Sequence, residues 1–289
     1  MSDTIRIFNR GDVRRNRNRA KVGQRFLHEW TASALSKRLD DIKRSFGTGL
    51  LIGFNPEFNP AEKIKYPIMM DISENILAPC SGITVQGDEE YMPIKTGSLD
   101  IILSCLSLHS VNDLPGALIQ MFRSLKPDGA FLAGMLGGET LHELRTTLTE
   151  AELALSGGVS PRISPFADLP QIGSLMQRAG FALPVVDSEI VTVTYDSVFH
   201  LMHDLRGMGE SNIVDKRSRK TPGKSLFMET ARLYQEKFSD PDGRIRASFE
   251  VIFMIGWAPH ESQQKPLRPG SAERRLADLL CTREIKTPV

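Results

Sequence analysis

The sequence predicts a doubly wound α/β fold built on a mostly parallel sheet. Three observations carry that prediction. Short apolar runs bounded by turn residues alternate with stretches of helical periodicity through the first half of the chain. Two of those runs lead directly to a carboxylate, Asp71 and Asp88, where a ligand would meet the carboxyl ends of parallel strands. Late strand-like segments at 185–195 and 249–257, separated by helical sequence, supply an antiparallel edge.

The elements follow in order. Apolar residues at Val22, Phe26, Trp30, Ala34, Leu35 and Leu39 fall at helical spacing and predict one amphipathic helix over 22–42. Over the N-terminal stretch, Arg6, Arg10, Arg14, Arg15, Arg17, Arg19, Lys21 and Arg25 oppose only Asp3 and Asp12. That stretch reads as a helix whose arginines face water or form a docking surface for an anionic partner. The run 49–53 is a buried strand and 54–60, with two prolines and two asparagines, a loop. A second buried strand over 67–71 ends on Asp71, and a short helix follows from Ser73 to Leu77 before Pro79. Strands are predicted at 82–86, 99–106 and 130–136, helices at 114–125 and 140–155, and a tight turn at Lys126-Pro127-Asp128-Gly129. Helices at 198–208 and 224–238 separate the two late strands.

Composition narrows the class. At 289 residues, 40% hydrophobic and 25% charged, the chain buries a large core. A formal charge of +1 gives no case for nucleic acid. Cys80, Cys105 and Cys281 lie far apart without a CxxC pair, which argues against a disulfide framework or zinc site. No apolar run is long enough for a transmembrane helix. An Arg-rich start is also a feature of mitochondrial transit peptides, but two aspartates interrupt it and no Ser-rich stretch follows.

Ligands in such sheets bind beyond the strand ends, at the point where strand order reverses. Gly53 stands after the first strand, where glycine lets the backbone turn and approach a nucleotide. Asp71 suits the diol of a ribose, or caps the helix that follows it. Asp88 suits an exocyclic amine, or belongs to a solvated acidic turn. His109 lies just past the fourth strand, where it either transfers protons or is structural. His200 and His203 are spaced i, i+3 but lack a convincing third metal ligand. No P-loop, HExxH or Ser-His-Asp order is present.

Several segments together resemble one family. Asp71-Ile72-Ser73-Glu74-Asn75, Gly87-Asp88-Glu89-Glu90, Leu106-Ser107-Leu108-His109-Ser110-Val111-Asn112-Asp113 and Leu125-Lys126-Pro127-Asp128-Gly129 are similar to motifs of class I S-adenosylmethionine-dependent methyltransferases. More specific are Gly137-Gly138-Glu139-Thr140-Leu141-His142-Glu143-Leu144-Arg145, Ser160-Pro161-Arg162-Ile163-Ser164-Pro165-Phe166, Gly207-Met208-Gly209-Glu210-Ser211-Asn212, and Met254-Ile255-Gly256-Trp257 with His260-Glu261-Ser262. These resemble the group that joins methyltransferase-like complex I assembly factors to malonyl-acyl-carrier-protein methyltransferases, from about Ile7 to about Ala272. The resemblance implies a Rossmann-like, seven-stranded sheet in the order 3-2-1-4-5-7-6. It implies an S-adenosylmethionine site formed by Gly53, Asp71, Ile72, Asp88, Glu89 and Ser104, with His109 as the catalytic candidate.

The same resemblance implies a basic helical segment over 1–45, a methyltransferase-like domain over 46–272 with a helical insertion at about 197–240, and a tail over 273–289. Because it begins near residue 7, little room remains for a transit peptide, and a bacterial cytoplasmic protein is expected rather than a mitochondrial matrix one. Two activities accompany it: methyl transfer to a protein or acyl-carrier substrate, and arginine hydroxylation on a complex I subunit. The first loop departs from the pattern. Leu51 stands in place of an aspartate, and Asn55 and Glu57 in place of the second and third glycines. Asn55 in a left-handed conformation would be strained, and Glu57 would repel a cofactor carboxylate. That departure opens a third reading, a cofactor-free binding protein on the same fold.

Overall fold

In a computed structural model, the structure describes residues 6–264 except 57, 59 and 61, together with 270, 271, 277 and 282. Alternating side chains explain the sheet. Leu50 and Ile52 of β1 (Phe46–Ile52) point to one face and Leu51 to the other, and all three are fully buried. The strands β1, β2 (Ile64–Asp71), β3 (Ile83–Gln86), β4 (Leu99–Cys105), β5 (Leu125–Leu136), β6 (Ala182–Tyr195) and β7 (Ile245–Trp257) form one sheet in the order β3-β2-β1-β4-β5-β7-β6. The first five run parallel, and β7 is antiparallel to both β5 and β6.

Two apolar layers cover the sheet. One packs α2 (Phe26–Asp40), α5 (His142–Ser156), α7 (Val198–Met208) and α8 (Lys224–Phe238) through Leu27, Leu35, Leu144, Leu201 and Tyr234. The other packs α4 (Leu114–Ser124) and α6 (Leu169–Ala179) through Leu118, Met121, Ile172 and Met176. The remaining helices, α1 (Arg10–Arg19) and α3 (Glu74–Leu77), lie at the carboxyl edge. The chain divides into two compact units, Met1–Pro259 and His260–Val289. In the second, Ser262 Oγ lies 2.7 Å from His260 Nδ1.

Three local expectations change. The helix predicted over 22–42 is broken: Val22–Gln24 is a 3-10 turn, and α2 starts after Arg25. Lys126 to Gly129 does not form a free turn. It is a bulge inside β5, with Asp128 at φ 62° and the register against β4 slipping between Leu99 and Ile101. Helix α6 has no counterpart in the sequence reading. Its signals are nevertheless present: the Asp168–Gln171 capping box, Pro170 in the first turn and Gly180 as the left-handed C-cap.

Candidate functional site

Strand order reverses between β1 and β4, the place beyond whose carboxyl ends ligands bind in such sheets. Gly53 follows β1 at φ +77°. Asp71 ends β2, Asp88 and Glu89 follow β3, Ser104 lies near the end of β4, and His109 sits in the 3-10 turn after it. The chain thus gathers all of these residues at one edge. Ile72 joins them but faces Phe8, Val13 and Ile213 in a small apolar cluster under the N-terminal segment.

Asp71 does not cap α3; Ser73 does, its Oγ accepting from Ile76 N–H at 3.3 Å. One Asp71 oxygen accepts from Ser73 N–H at 2.8 Å and the other from Arg17 Nη2 at 2.7 Å. Asp88 is held in the same way. Arg10 donates to its two oxygens at 2.7 and 3.1 Å and also pairs with Glu89, which accepts from Ser107 Oγ. Asp88 therefore belongs to an ion-paired cluster, not to a solvated acidic turn.

These arginines correct the reading of the N-terminal stretch. Arg14, Arg15 and Arg19 do face outward, but Arg10 and Arg17 turn to the sheet. The reason is spacing: Arg10, Val13 and Arg17 share one helix face, and α1 lays that face over the carboxylates. The segment is fastened at several points. Asn112 Oδ1 accepts from the backbone of Ile7 and Phe8, each at 2.8 Å. Asp12, 2% exposed, pairs with Arg15, Arg217 and Arg219. Asn16 donates to Ser211 O at 3.1 Å.

The first loop is packed inward where the pattern has glycines. Phe54 is buried and stacks on Phe58 with ring centres 4.3 Å apart. Asn55 is buried too, and it is not among the described non-glycine residues with positive φ, so the strain expected there does not arise. Glu57 lies outside the described residues. Strain sits instead on Leu106, at φ 44°, whose N–H donates to Gly134 O at 2.8 Å and whose carbonyl accepts from Arg17.

The cofactor expected from the resemblance can be tested against the polar atoms left over. Arg25 Nε and Nη1, Arg17 Nε, His28 Nδ1, Ser104 Oγ and Asn55 Oδ1 are buried without a hydrogen-bond partner among the described residues. Such atoms are rare in folded proteins and call for a partner, which a polar ligand can supply. Cationic donors near Gly53 and carboxylates at Asp71 and Asp88 fit a ligand with an acid at one end and a nucleoside at the other. S-adenosylmethionine has that form, and when bound it supplies an electrophilic methyl group on sulfur. Its nucleoside would have to displace Arg17 and Arg10 from Asp71 and Asp88.

Beside this edge the family-like segments converge. Ile163, Phe166, Leu205 and Leu144 line a cavity of about 260 Å³ with Arg162, Arg206 and Glu210 among its polar groups. His109 Nε2 lies 3.2 Å from Glu210 Oε2, and its ring meets Phe166 edge-on. Burial opposes the Glu210 charge, but His109, Arg17 and Arg25 outweigh it and hold the carboxyl below its ordinary range. In the segment from Gly137 to Arg145, Glu139 and Glu143 tie the chain to β7: Glu250 accepts from Glu139 N–H at 2.9 Å, and Glu143 accepts from Ser248 Oγ at 2.6 Å. Sequence reasoning missed Arg10, Arg17, Arg25, His28 and Glu210 as parts of the site. No group of three or more His, Cys, Asp or Glu that could hold a metal occurs among the described residues.

His28 gives the site a pH signature. Burial first, then the charges of Arg25, Arg17 and His109, hold its pKa well below 6.5. The unfolded chain takes up a proton near 6.5 while the native site stays neutral. Stability from this residue is therefore complete above that pH and is lost as pH falls. The expected slope is up to about 1.4 kcal/mol per pH unit below pH 6.5. Urea titrations at pH 7.5 and 5.5 should show this loss in the native protein and not in His28→Gln. Equal losses in both would remove His28 as the cause.

Sheet order, switch point and paired carboxylates define a protein of the class I methyltransferase fold. A family model described as a methyltransferase domain matches residues 53–133. Two solved structures share the fold: the YcgJ protein of Bacillus subtilis (TM-score 0.55, 14% identity, 79% of this chain and 99% of that one), and a putative methyltransferase of Bacillus halodurans C-125 (TM-score 0.54, 17% identity, 79% and 100%). The chain is 38% identical over 290 residues to the human mitochondrial arginine-hydroxylase NDUFAF5, covering 96% of this chain and 84% of that protein. It is 31% identical over 234 residues to malonyl-[acyl-carrier protein] O-methyltransferase of Laribacter hongkongensis strain HLHK9, covering 78% and 76%. The chain belongs to the S-adenosylmethionine-dependent methyltransferase family that includes these two relatives.

Proposed function

We propose that this protein binds S-adenosylmethionine at the β1–β4 edge and transfers its methyl group to a protein or acyl-carrier substrate. The observation that carries this reading is the gathering of Gly53, Asp71, Asp88 and Ser104 at the carboxyl edge, with the guanidinium of Arg25, unpartnered at Nε and Nη1 among the described residues, beside Gly53. In it, Asp71 takes the ribose diol and Asp88, backed by Glu89, the adenine amine. Ile72 and Ser104 flank the nucleoside, and Gly53 lines the methionine end. Methyl transfer needs mainly alignment of acceptor and sulfonium, so few dedicated catalytic groups are required. His109, oriented by Glu210 beside the cavity, would take the proton from an acceptor that loses one.

A second reading is supported by the identity to arginine-hydroxylase NDUFAF5 over nearly the whole chain. In that reading the substrate is an arginine on a complex I subunit. A cofactor-free scaffold is supported by the hold of Arg10 and Arg17 on the two nucleoside carboxylates. Calorimetric titration with S-adenosylmethionine and S-adenosylhomocysteine separates the scaffold from the others. Binding is expected, weakened about tenfold or more in Asp71→Asn, the loss of about 1.4 kcal/mol or more. No binding of either ligand at millimolar concentration rejects the cofactor site. Mass spectrometry of a candidate subunit then distinguishes an added methyl group from an added oxygen atom.

A further inference from the structure

We infer that Arg25 anchors the carboxylate of the bound cofactor, replacing the main-chain donors of the lost glycine loop. The inference rests on the proposal that the site takes S-adenosylmethionine. Arg25 stands immediately before α2 and is 1% exposed. Its Nη2 reaches Gly53 O at only 3.5 Å, and its Nε and Nη1 have no hydrogen-bond partner among the described residues. A buried guanidinium left in this state is strongly unfavourable unless an anion completes it.

The neighbouring carboxylates do not complete it. Asp71 is taken by Arg17 and Ser73 N–H, and Glu210 lies against His109. Burial and the adjacent Arg17 lower the Arg25 pKa to about 10, which leaves it cationic at neutral pH. His28 Nδ1 and Arg17 Nε are also unpartnered and electrostatically close to Arg25. The planar fork of a guanidinium matches a carboxylate in bidentate geometry.

The direction of the site selects which carboxylate. Arg25 lies at Gly53, past the end of β1, while Asp71 and Asp88 lie past the ends of β2 and β3. The unpartnered cationic donors thus lie at the β1 end, while the carboxylates at the other end are already paired with Arg17 and Arg10. S-adenosylmethionine has a carboxylate on its amino-acid portion and hydroxyls and an amine on its nucleoside portion. In a glycine-rich loop, close backbone N–H groups would meet that acid. Here Phe54 and Asn55 are packed inward, and the side chain that stands just ahead of α2 supplies the charge.

The test compares two ligands on the full chain. S-adenosylhomocysteine carries the carboxylate; 5′-methylthioadenosine lacks the amino-acid portion. Calorimetry should show Arg25→Met weakening S-adenosylhomocysteine by about tenfold to a hundredfold, as for a charge-assisted hydrogen bond, with methylthioadenosine unchanged. Arg25→Lys should recover part of the loss. Without ligand, Arg25→Met should unfold at a urea concentration no lower than the native protein, because an uncompensated buried charge is gone. Arg25→Gln serves as a second variant should Met disturb folding. Equal weakening of both ligands, or of neither, overturns the inference. A native protein that binds methylthioadenosine but not S-adenosylhomocysteine overturns it while leaving the nucleoside site standing. Binding of neither ligand defeats the cofactor reading and this inference together.

Discussion

Arg17→Met is expected to lower stability by about 3 kcal/mol and at the same time raise the affinity for a nucleoside ligand by about tenfold. The stability loss follows from burial: Arg17 and Asp71 side chains are 9% and 2% exposed, with Nη2 and Oδ2 2.7 Å apart. Removing one partner of a buried pair leaves the other charge desolvated, which costs about 3–5 kcal/mol. Arg25 lies close enough to stabilise the orphaned Asp71 through space, so the low end of that range applies. The gain in affinity follows from the same contact. Asp71 oxygens are occupied by Arg17 and Ser73 N–H, and a ribose diol must displace Arg17. Without Arg17, binding itself supplies the missing hydrogen bonds, worth about 1.4 kcal/mol, or tenfold. The double variant Arg17→Met, Asp71→Asn should regain most of the stability and lose the added affinity. Urea denaturation and calorimetry with methylthioadenosine measure both. A nucleoside affinity that falls in Arg17→Met would show that Arg17 assists the nucleoside instead of competing with it.

That contact also marks the limit of what the sequence discloses. Period-two and period-three-to-four patterns are local; they locate the strands with starts up to five residues late and give the helices at 198–208 and 224–238 the bounds the structure shows. Asp71 and Asp88 could be placed because a parallel strand must deliver its last residue to the carboxyl edge. The role of α1 could not be read this way. Its basic composition favours a solvated helix, and its inward face is decided by partners 54 and 78 residues away. Nor does spacing tell that Arg25 is covered, since the break before α2 comes where Lys21 N–H donates to Gly207 O and Gln24 packs on Gly207, contacts remote in sequence. Only α6 was legible and overlooked, its capping box and terminal glycine being local signals. Leu106 is the opposite case: nothing in a leucine announces a left-handed backbone, and the sheet imposes it.

Gly53→Ala is expected to destabilise the protein by about 3 kcal/mol whether or not a cofactor is present. The residue has φ +77°, and a Cβ there would lie 2.3 Å from the carbonyl oxygen of Cys105, with Arg17 Nη2 at 3.2 Å and Ser107 Cβ at 3.3 Å. A left-handed alanine costs about 1 kcal/mol, and moving a backbone carbonyl in the packed end of β4 adds about 2 kcal/mol. The collision is with the chain's own backbone, so this glycine is required for β1 and β4 to close together. That explains why it stands while Asn55 occupies the next glycine position: Asn55 meets no such demand, being outside the left-handed region. Asn55→Gly should accordingly change stability by less than about 1 kcal/mol, the entropic penalty of a glycine. Urea midpoints with and without S-adenosylhomocysteine separate the two roles. A Gly53→Ala protein as stable as the native one, but unable to bind the ligand, would make Gly53 a ligand-contact glycine and reject the packing argument.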